Sequence, residues 1–257
     1  MELGLQGKVA VITGSTEGIG RATAFKFAEE GARVAICGRR AEVVAKTVDE
    51  LKHAGADVFG MAADISKASD IERFINGAVK YFGRLDILVN NAGSSKRGAF
   101  LEVDDATWAA DLELKVFGAI RCTRLAVPQM RKQGGGRIIN ITNIGAKQPG
   151  GGSMPTTLSR AAGLALTKSL SKEFAPENIL VNTVCIGKIK SGQHERTRAK
   201  SGLSADEYYA KGGKEIPLGR FGEAEEAANA IVFLASSAAS YVTGTSINLD
   251  GGLAGVL

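Results

Sequence analysis

The run Thr13-Gly14-Ser15-Thr16-Glu17-Gly18-Ile19-Gly20 carries the clearest chemistry in the chain. It follows the β-branched run Lys8-Val9-Ala10-Val11-Ile12-Thr13. It leads into residues 18–30, where Ile19, Ala22, Phe25, Phe27 and Ala28 suit a helix. Glycines there let the chain turn sharply and let the backbone approach a bulky anion. The start of a helix adds unpaired N–H groups and the positive end of a dipole. Strand, glycine loop and helix in that order predict a pyrophosphate site. The next apolar run ends in Cys37-Gly38-Arg39-Arg40, and a guanidinium can clamp a phosphate or stack on a purine.

The elements that must position these groups alternate along the chain. Short β-branched runs fall at 8–13, 33–37, 57–61, 85–89, 137–141, 179–184 and 246–249. Helical stretches fall near 18–30, 41–54, 67–82, 105–133, 156–174 and 223–236. Repeated βαβ units of this kind predict an α/β fold, a doubly wound, seven-stranded parallel sheet with helices on both faces. No linker or shift of composition divides residues 1–257, so a single domain is expected. Two segments break the rhythm: the Gly/Pro-rich 145–155, and 188–217, which is polar and rich in Lys and Arg. Both follow strands, and in a doubly wound sheet ligands bind beyond the carboxyl ends of the strands. Both are therefore expected to border the site, with 188–217 serving either as a substrate lid or as a solvated insertion.

The formal net charge of +5 is small and interspersed, which argues against nucleic acid as a partner. No apolar run approaches the ~20 residues that cross a bilayer, and Met1-Glu2-Leu3-Gly4 does not begin a cationic-then-apolar leader. No membrane association is expected. Cys37, Cys122 and Cys185 are odd in number, far apart and in apolar contexts. They are expected to be buried thiols in the reducing cytoplasm, with neither a disulfide nor a metal site.

Further segments extend the nucleotide signature: Asp64 after the third strand, Asn90-Asn91-Ala92-Gly93 after the fourth, and the tail from Pro217 to Gly252. Together with the Gly-x-x-x-Gly-x-Gly spacing they resemble the short-chain dehydrogenase/reductase (SDR) family over essentially the whole chain. The resemblance implies a Rossmann-type domain, a nicotinamide dinucleotide, a small-molecule substrate and a homotetramer joined through helix pairs and the last strand. Carried over by position, the pyrophosphate lies over Gly14, Ser15, Thr16, Glu17, Gly18, Ile19 and Gly20. Asp64 and Ile65 flank the adenine, and Asn91, Ala92 and Gly93 line the ribose and nicotinamide side. Ile189 would bind the carboxamide through its backbone, and Ser191 stands in for a threonine. Glycine at 38, where an acid would hold the ribose of NAD, followed by Arg39 and Arg40, favours NADP(H) over NAD(H). Glu17 opposes this, standing where NADP-dependent relatives often carry a base.

The family's usual proton donor is the tyrosine of Tyr-x-x-x-Lys, with a serine about a dozen residues earlier and an asparagine in the preceding helix. Four residues after Tyr81, Tyr208, Tyr209 and Tyr241 stand Leu85, Gly212, Gly213 and Thr245, so this chain has no such motif. Alignment on the flanks puts Asn143 at the serine position, Thr156 at the tyrosine, Arg160 at the lysine and Lys115 at the asparagine. A threonine hydroxyl is far too weak an acid to replace a phenol of pKa ~10. Arg160 can hold the nicotinamide ribose but cannot exchange protons near neutral pH. Asn143 can donate to a substrate carbonyl. Lys115 is the titratable newcomer, and burial beside Arg160 would lower its pKa. It is either the proton donor, an anion anchor, or a filler bonded to water or a helix carbonyl. His194, Tyr208 and Tyr209 in the lid are further candidate acids.

The leading expectation is an NADP(H)-dependent oxidoreductase with a non-tyrosine proton donor, acting on a carbonyl, enone or imine. The basic lid and Lys115 favour an anionic substrate. Retention of Asn91, Ile189 and Ser191 leans towards hydride transfer. The alternatives are a nucleotide-binding pseudoenzyme serving as a regulatory or scaffold subunit, and a non-redox lyase or hydrolase on the same fold.

Overall fold

Side chains of the first strand, β1 (Val9–Ile12), alternate between two cores. Ala10 and Ile12 pack with Phe27, Leu51 and Ile231, whereas Val9 and Val11 pack with Phe74, Cys122 and Phe174. A sheet buried this way needs helices on both faces. One layer is α1 (Gly18–Glu29), α2 (Ala41–His53) and α9 (Ala224–Ala235). The other is α3 (Ala68–Phe82), α5 (Gly118–Lys132) and α6 (Thr156–Phe174). Phe27 and Phe74 are wholly buried, and truncating either to alanine is expected to cost about 3–5 kcal/mol. This is a computed structural model, and it describes residues 2–257.

The remaining main strands are β2 (Arg33–Gly38), β3 (Val58–Ala62), β4 (Ile87–Asn90), β6 (Gly136–Asn143), β8 (Ile179–Ile186) and β9 (Ser246–Leu249). With β1 they form one parallel sheet in the order β3-β2-β1-β4-β6-β8-β9, as expected. The chain runs outward from β1 to β3, then crosses back to β4 on the other side of β1. That reversal opens a crevice at the carboxyl ends of β1 and β4, where Thr13 and Asn91 stand.

Three features depart from the expected pattern. The single helix expected over 105–133 is α4 (Asp105–Leu112) and α5 joined by a π-helical turn, Glu113–Phe117, which carries Lys115. Within the expected loop 145–155, β7 (Met154–Pro155) pairs antiparallel with β5 (Arg97–Gly98), a strand without a sequence signal. The segment 188–217 folds into α7 (Gly192–Ser201) and α8 (Ala205–Gly213), the latter begun by a Ser204/Glu207 capping box. All three cysteines are free and buried. Among the described residues no helix is long and apolar enough to cross a membrane, and no cluster of metal-ligating side chains is present.

Candidate active site

The nucleotide end is built by close packing of backbone. A methyl group on Gly20 would lie 2.3 Å from the Gly14 carbonyl and 2.4 Å from Asn91 Nδ2, so only glycine lets α1 begin against its own loop. Asn91 Nδ2 donates to the carbonyls of Thr13 at 3.0 Å and Gly14 at 2.9 Å. The amides of Asn91 and Ala92 donate to Thr13 Oγ1. Ser15 is spent inside the fold. Its hydroxyl donates to Ile12, its N–H donates to Cys37, and its Oγ accepts from the Cys37 amide. Ser15, expected at the pyrophosphate, and Asn91, expected on the ribose and nicotinamide side, thus brace the cradle with their side chains.

The selecting residues lie at the edge of this cradle. A methyl on Gly38 would come 2.8 Å from Thr16 Oγ1, which leaves no room there for an acidic side chain without displacing Thr16. Arg39 is exposed and has no acidic partner among the described residues. Arg40 is paired with Glu17, whose other carboxylate oxygen lies 3.9 Å from Arg196 of α7. Burial works to raise the Asp64 carboxyl. The Ser66 N–H and hydroxyl, donating at 3.0 and 2.7 Å, together with the charge of Arg39, outweigh it and hold the carboxyl below its ordinary value. Ile65 is buried, and the Arg160 guanidinium lies against Gly93.

The catalytic end brings three of the four expected residues together. Thr156 opens α6 directly after β7, Arg160 follows one turn on, and Lys115 projects from the π-helical turn. Thr156 Oγ1 accepts from Lys115 Nζ at 2.9 Å and from the Lys96 amide at 2.8 Å. Lys115 also pairs with Asp111, and their side chains are 2% and 1% exposed. The second Asp111 oxygen accepts from Ser159 Oγ at 2.6 Å. Asp111 and Ser159 were not foreseen; an Asp-x-x-x-Lys spacing, which brings Asp111 and Lys115 to one face, was the signal for the first, and nothing marks the second.

Burial drives Lys115 down, the charges of Arg160 and Arg97 add to it, and Asp111 opposes, leaving the ammonium near about 8. Burial also lowers Arg160, to about 10, against the opposing pull of Asp111 and Cys185, so it stays cationic at neutral pH. Its Nη1 donates to the Ile141 carbonyl at 2.6 Å, while its buried Nε has no protein partner among the described residues. Lys115, Arg160, Asn90 and Asn140 line a cavity of about 20 Å³, which is room for one water. Asn143, the fourth residue, ends β6 and bonds to none of the other three. Its buried Oδ1 is unpartnered among the described residues.

The segment 188–217, expected as a lid or a solvated insertion, meets the glycine loop at its base, where Ser191 Cβ would stand 3.4 Å from a methyl on Gly18. Ile189 is buried in a bridge to Gly222 that uses the Lys190 amide and the Lys188 carbonyl, leaving its own N–H and carbonyl outside that pairing. The candidate acids of the lid bond within the lid. His194 Nδ1 lies 3.1 Å from the Tyr208 hydroxyl, and its ring stands edge-on to Phe221. Tyr209 donates to Glu195, and burial together with that carboxylate raises its phenol far above the ordinary value. The expected basic character of 188–217 is cancelled in part: Lys188 pairs with Glu215, Lys190 with Glu223 and Arg198 with Glu195, while Lys200, Lys211 and Lys214 have no ion-pair partner among the described residues.

A family model described as enoyl-(acyl carrier protein) reductase matches residues 14–254. The chain is 36% identical over 254 residues to the 3-oxoacyl-(acyl-carrier-protein) reductase FabG of Aquifex aeolicus, covering 98% of this chain and 100% of that protein. It is 37% identical over 250 residues to human dehydrogenase/reductase SDR family member 4, covering 96% of this chain and 88% of that one. Its structure is similar, with a TM-score of 0.96 and 35% identity over 100% of both chains, to L-sorbose reductase from Gluconobacter frateurii complexed with NADPH and L-sorbose. It is also similar to an NADPH-bound short chain oxidoreductase from Pseudomonas aeruginosa PAO1 described as containing an atypical catalytic center. That match has a TM-score of 0.92 and 35% identity over 97% of this chain and 98% of that one.

Proposed function

This chain belongs to the short-chain dehydrogenase/reductase family, and on that premise we propose that it is an NADP(H)-dependent oxidoreductase whose proton donor is the Lys115 ammonium in place of a phenol. NADPH complexes among its structural neighbours support the cofactor, as do the unpaired Arg39 and the glycine at 38. The residues present suit the dinucleotide. The Gly14–Gly20 cradle admits no Cβ at Gly20, Arg160 keeps a buried unpaired Nε, and Ile189 keeps its amide and carbonyl outside the Gly222 pairing. Gly14 to Gly20 would hold the pyrophosphate, Arg39 and Arg40 the 2′-phosphate, Asp64 and Ile65 the adenine. Asn91, Ala92, Gly93 and Arg160 would hold the ribose and nicotinamide side, with Ile189 and Ser191 at the carboxamide. When bound, the cofactor supplies or accepts the hydride.

One observation carries the proton assignment. The Lys115 ammonium meets the Thr156 hydroxyl at 2.9 Å, where the resemblance puts a phenol, and its lowered pKa brings it near the range of a useful acid. In reduction, Asn143 donates a hydrogen bond to the substrate oxygen, Lys115 gives up a proton as charge develops there, and solvent restores it. Carbonyl compounds lead the substrate classes, ahead of enones and imines, because the relatives described above include reductases of oxoacyl groups and of a sugar. Residues 188–217 act as the lid of one domain spanning 1–257.

The same burial favours a second reading, a nucleotide-binding pseudoenzyme, since Thr156 is only 1% exposed. Titration with NADPH and NADP⁺, followed by a carbonyl, enone and imine panel read at the reduced nicotinamide band, separates the two. Turnover supports the first, and binding without turnover on any class supports the second.

Assembly as a homotetramer is supported by a groove of about 530 Å³ between α5 and α6, lined by Ile120, Val127, Leu170 and Phe174, and by the unpaired outer edge of β9. The free, buried cysteines support a cytoplasmic setting.

A further inference from the structure

Three polar residues stand in register across adjacent strands: Asn90 of β4 beside Asn140 of β6, and Asn140 beside Thr183 of β8. Thr167 of α6 packs on this row, and all four residues are buried. Hydrogen-bond polarity runs one way along it. The Thr167 hydroxyl donates to the Gly163 carbonyl at 2.9 Å, so its oxygen accepts from the Thr183 hydroxyl at 2.7 Å and from Asn140 Nδ2 at 2.8 Å. Asn140 Oδ1 in turn accepts from Asn90 Nδ2 at 2.9 Å. The Asn90 oxygen comes last, and it has no partner among the described residues.

Asn90 lines the same cavity of about 20 Å³ as Lys115 and Arg160. Two residues of that lining therefore carry a buried group without a protein partner: an acceptor, Asn90 Oδ1, and a donor, Arg160 Nε. Lys115 adds a further donor, because its three protons meet only Asp111 and Thr156. The volume exceeds the ~10–15 Å³ that one water needs. The donor set also decides what fits. An anion would satisfy the two cations but be repelled by the Asn90 oxygen, and a cation would do the reverse. A water has lone pairs for both cations and a proton for the amide.

We propose that this cavity is a hydration site in which one water accepts from Arg160 Nε and Lys115 Nζ and donates to Asn90 Oδ1, making Asn90 the positioning residue for both cations. Lys115 and Arg160 are like charges that share one carboxylate, Asp111, and Arg97 adds a third positive charge from β5. A water turned with its oxygen toward both cations eases their repulsion. Asn90 keeps it turned that way, and the one-way polarity of the row from Thr183 keeps the amide itself from reversing. This gives Arg160 Nε to the water and leaves Nη2, which faces Gly93, for a ribose. The consequence for catalysis rests on the oxidoreductase reading, but the water and its effect on Lys115 do not.

A crystal structure of the wild type, with a second crystal soaked in bromide, tests the site. The expected result is a water within about 3.2 Å of both Asn90 Oδ1 and Arg160 Nε, and no anomalous bromide peak there. The positioning role is read from the titration of Lys115, followed by the NMR shift of its side-chain carbons in isotope-labelled protein and assigned by its loss in Lys115→Arg. Accepting from the ammonium favours the charged form, so Asn90→Leu, which removes the acceptor that holds the water, should lower the midpoint by about one pH unit. Asn90→Asp, which puts a carboxylate oxygen in the same place, should raise it by about as much. Both variants forfeit the hydrogen bond to Asn140, so damage to the row alone would move both midpoints the same way. No water at the site, bromide in it, or midpoints that shift together or not at all would overturn the proposal. Neither readout needs turnover, so a protein inert toward every substrate class counts against the oxidoreductase reading alone.

Discussion

Lys115 Nζ and Thr156 Oγ1 lie 2.9 Å apart although 41 positions separate them in the chain. The π-helical turn before α5 carries the one, and the first residue of α6 supplies the other. Neither is free to turn away. Asp111 anchors the ammonium one helical turn back, and the Lys96 amide anchors the hydroxyl from the β5 side. On the proposed reading, the pair takes the place of a phenol–lysine arrangement: the titratable proton is on the helix where the resemblance puts an asparagine, and the charge of Arg160 is where it puts a lysine.

Burying an ion pair costs several kcal/mol of desolvation per ion, so this one is weak evidence of stability as such. Breaking it is another matter. Lys115→Met is expected to destabilise the fold by about 3–5 kcal/mol, because Asp111 is left as an unpaired buried charge. Urea denaturation of Lys115→Met, Asp111→Asn and the double variant checks this: the double should cost clearly less than the sum of the singles. Additive effects would mean that the two groups do not act as a pair.

The pH dependence follows from the same geometry. Lys115 is charged below about 8 in the folded protein and up to 10.5 when unfolded. Between those values the unfolded state binds more protons, so the Lys115 contribution to stability grows as pH rises across that window. For catalysis the sign is opposite: reduction at saturating NADPH should fall as pH rises through about 8, where the ammonium loses its proton. Asp111 works against the downward push of burial, Arg160 and Arg97, so Asp111→Asn should move that fall to lower pH. A profile unmoved by the substitution would separate the titration from Lys115.

Cofactor choice rests on residues beyond β2. NADPH should bind about 10–100 times more tightly than NADH, and Arg39→Asp should reverse the order, as measured by fluorescence titration. Glu17 holds Arg40, so Glu17→Gln is expected to tighten NADPH about tenfold by releasing that guanidinium. Equal affinities in the wild type would remove the NADP(H) assignment.

Thr156 is placed to accept rather than to act as an acid. Thr156→Ser should retain most of the turnover. Thr156→Val leaves the Lys96 N–H and one Lys115 N–H without their acceptor, at about 1–3 kcal/mol of stability. Thermal denaturation of the two variants would show the difference, and equal stability would mean that the hydroxyl is dispensable.

The sheet and its helices were legible because each rests on local periodicity. The β-branched runs and the glycine loop announce themselves over a handful of residues, and the strands fall where those runs lie. Lys115, Thr156 and Arg160 could be placed beside one another only by counting from neighbouring anchors. What could not be read depends on distant partners. Asp111 looks like a surface acid on a helix until Ser159 and Thr156 close over it. Arg97 and the pairing of β5 with β7 leave no pattern in two-residue strands. The lid illustrates the reverse error, since its cations are easy to count while their partners, among them Glu223 and Glu17, lie outside the segment.

Single-turnover oxidation of bound NADPH, compared between the wild type and Lys115→Met on the best substrate of the panel, tests the central claim most directly. Circular dichroism and NADPH affinity serve to verify that the variant is folded. Hydride transfer with Lys115 as proton donor predicts that the rate falls about 10²- to 10⁴-fold while NADPH affinity stays within a few-fold of the wild type. A variant that oxidises NADPH at the wild-type rate would contradict it.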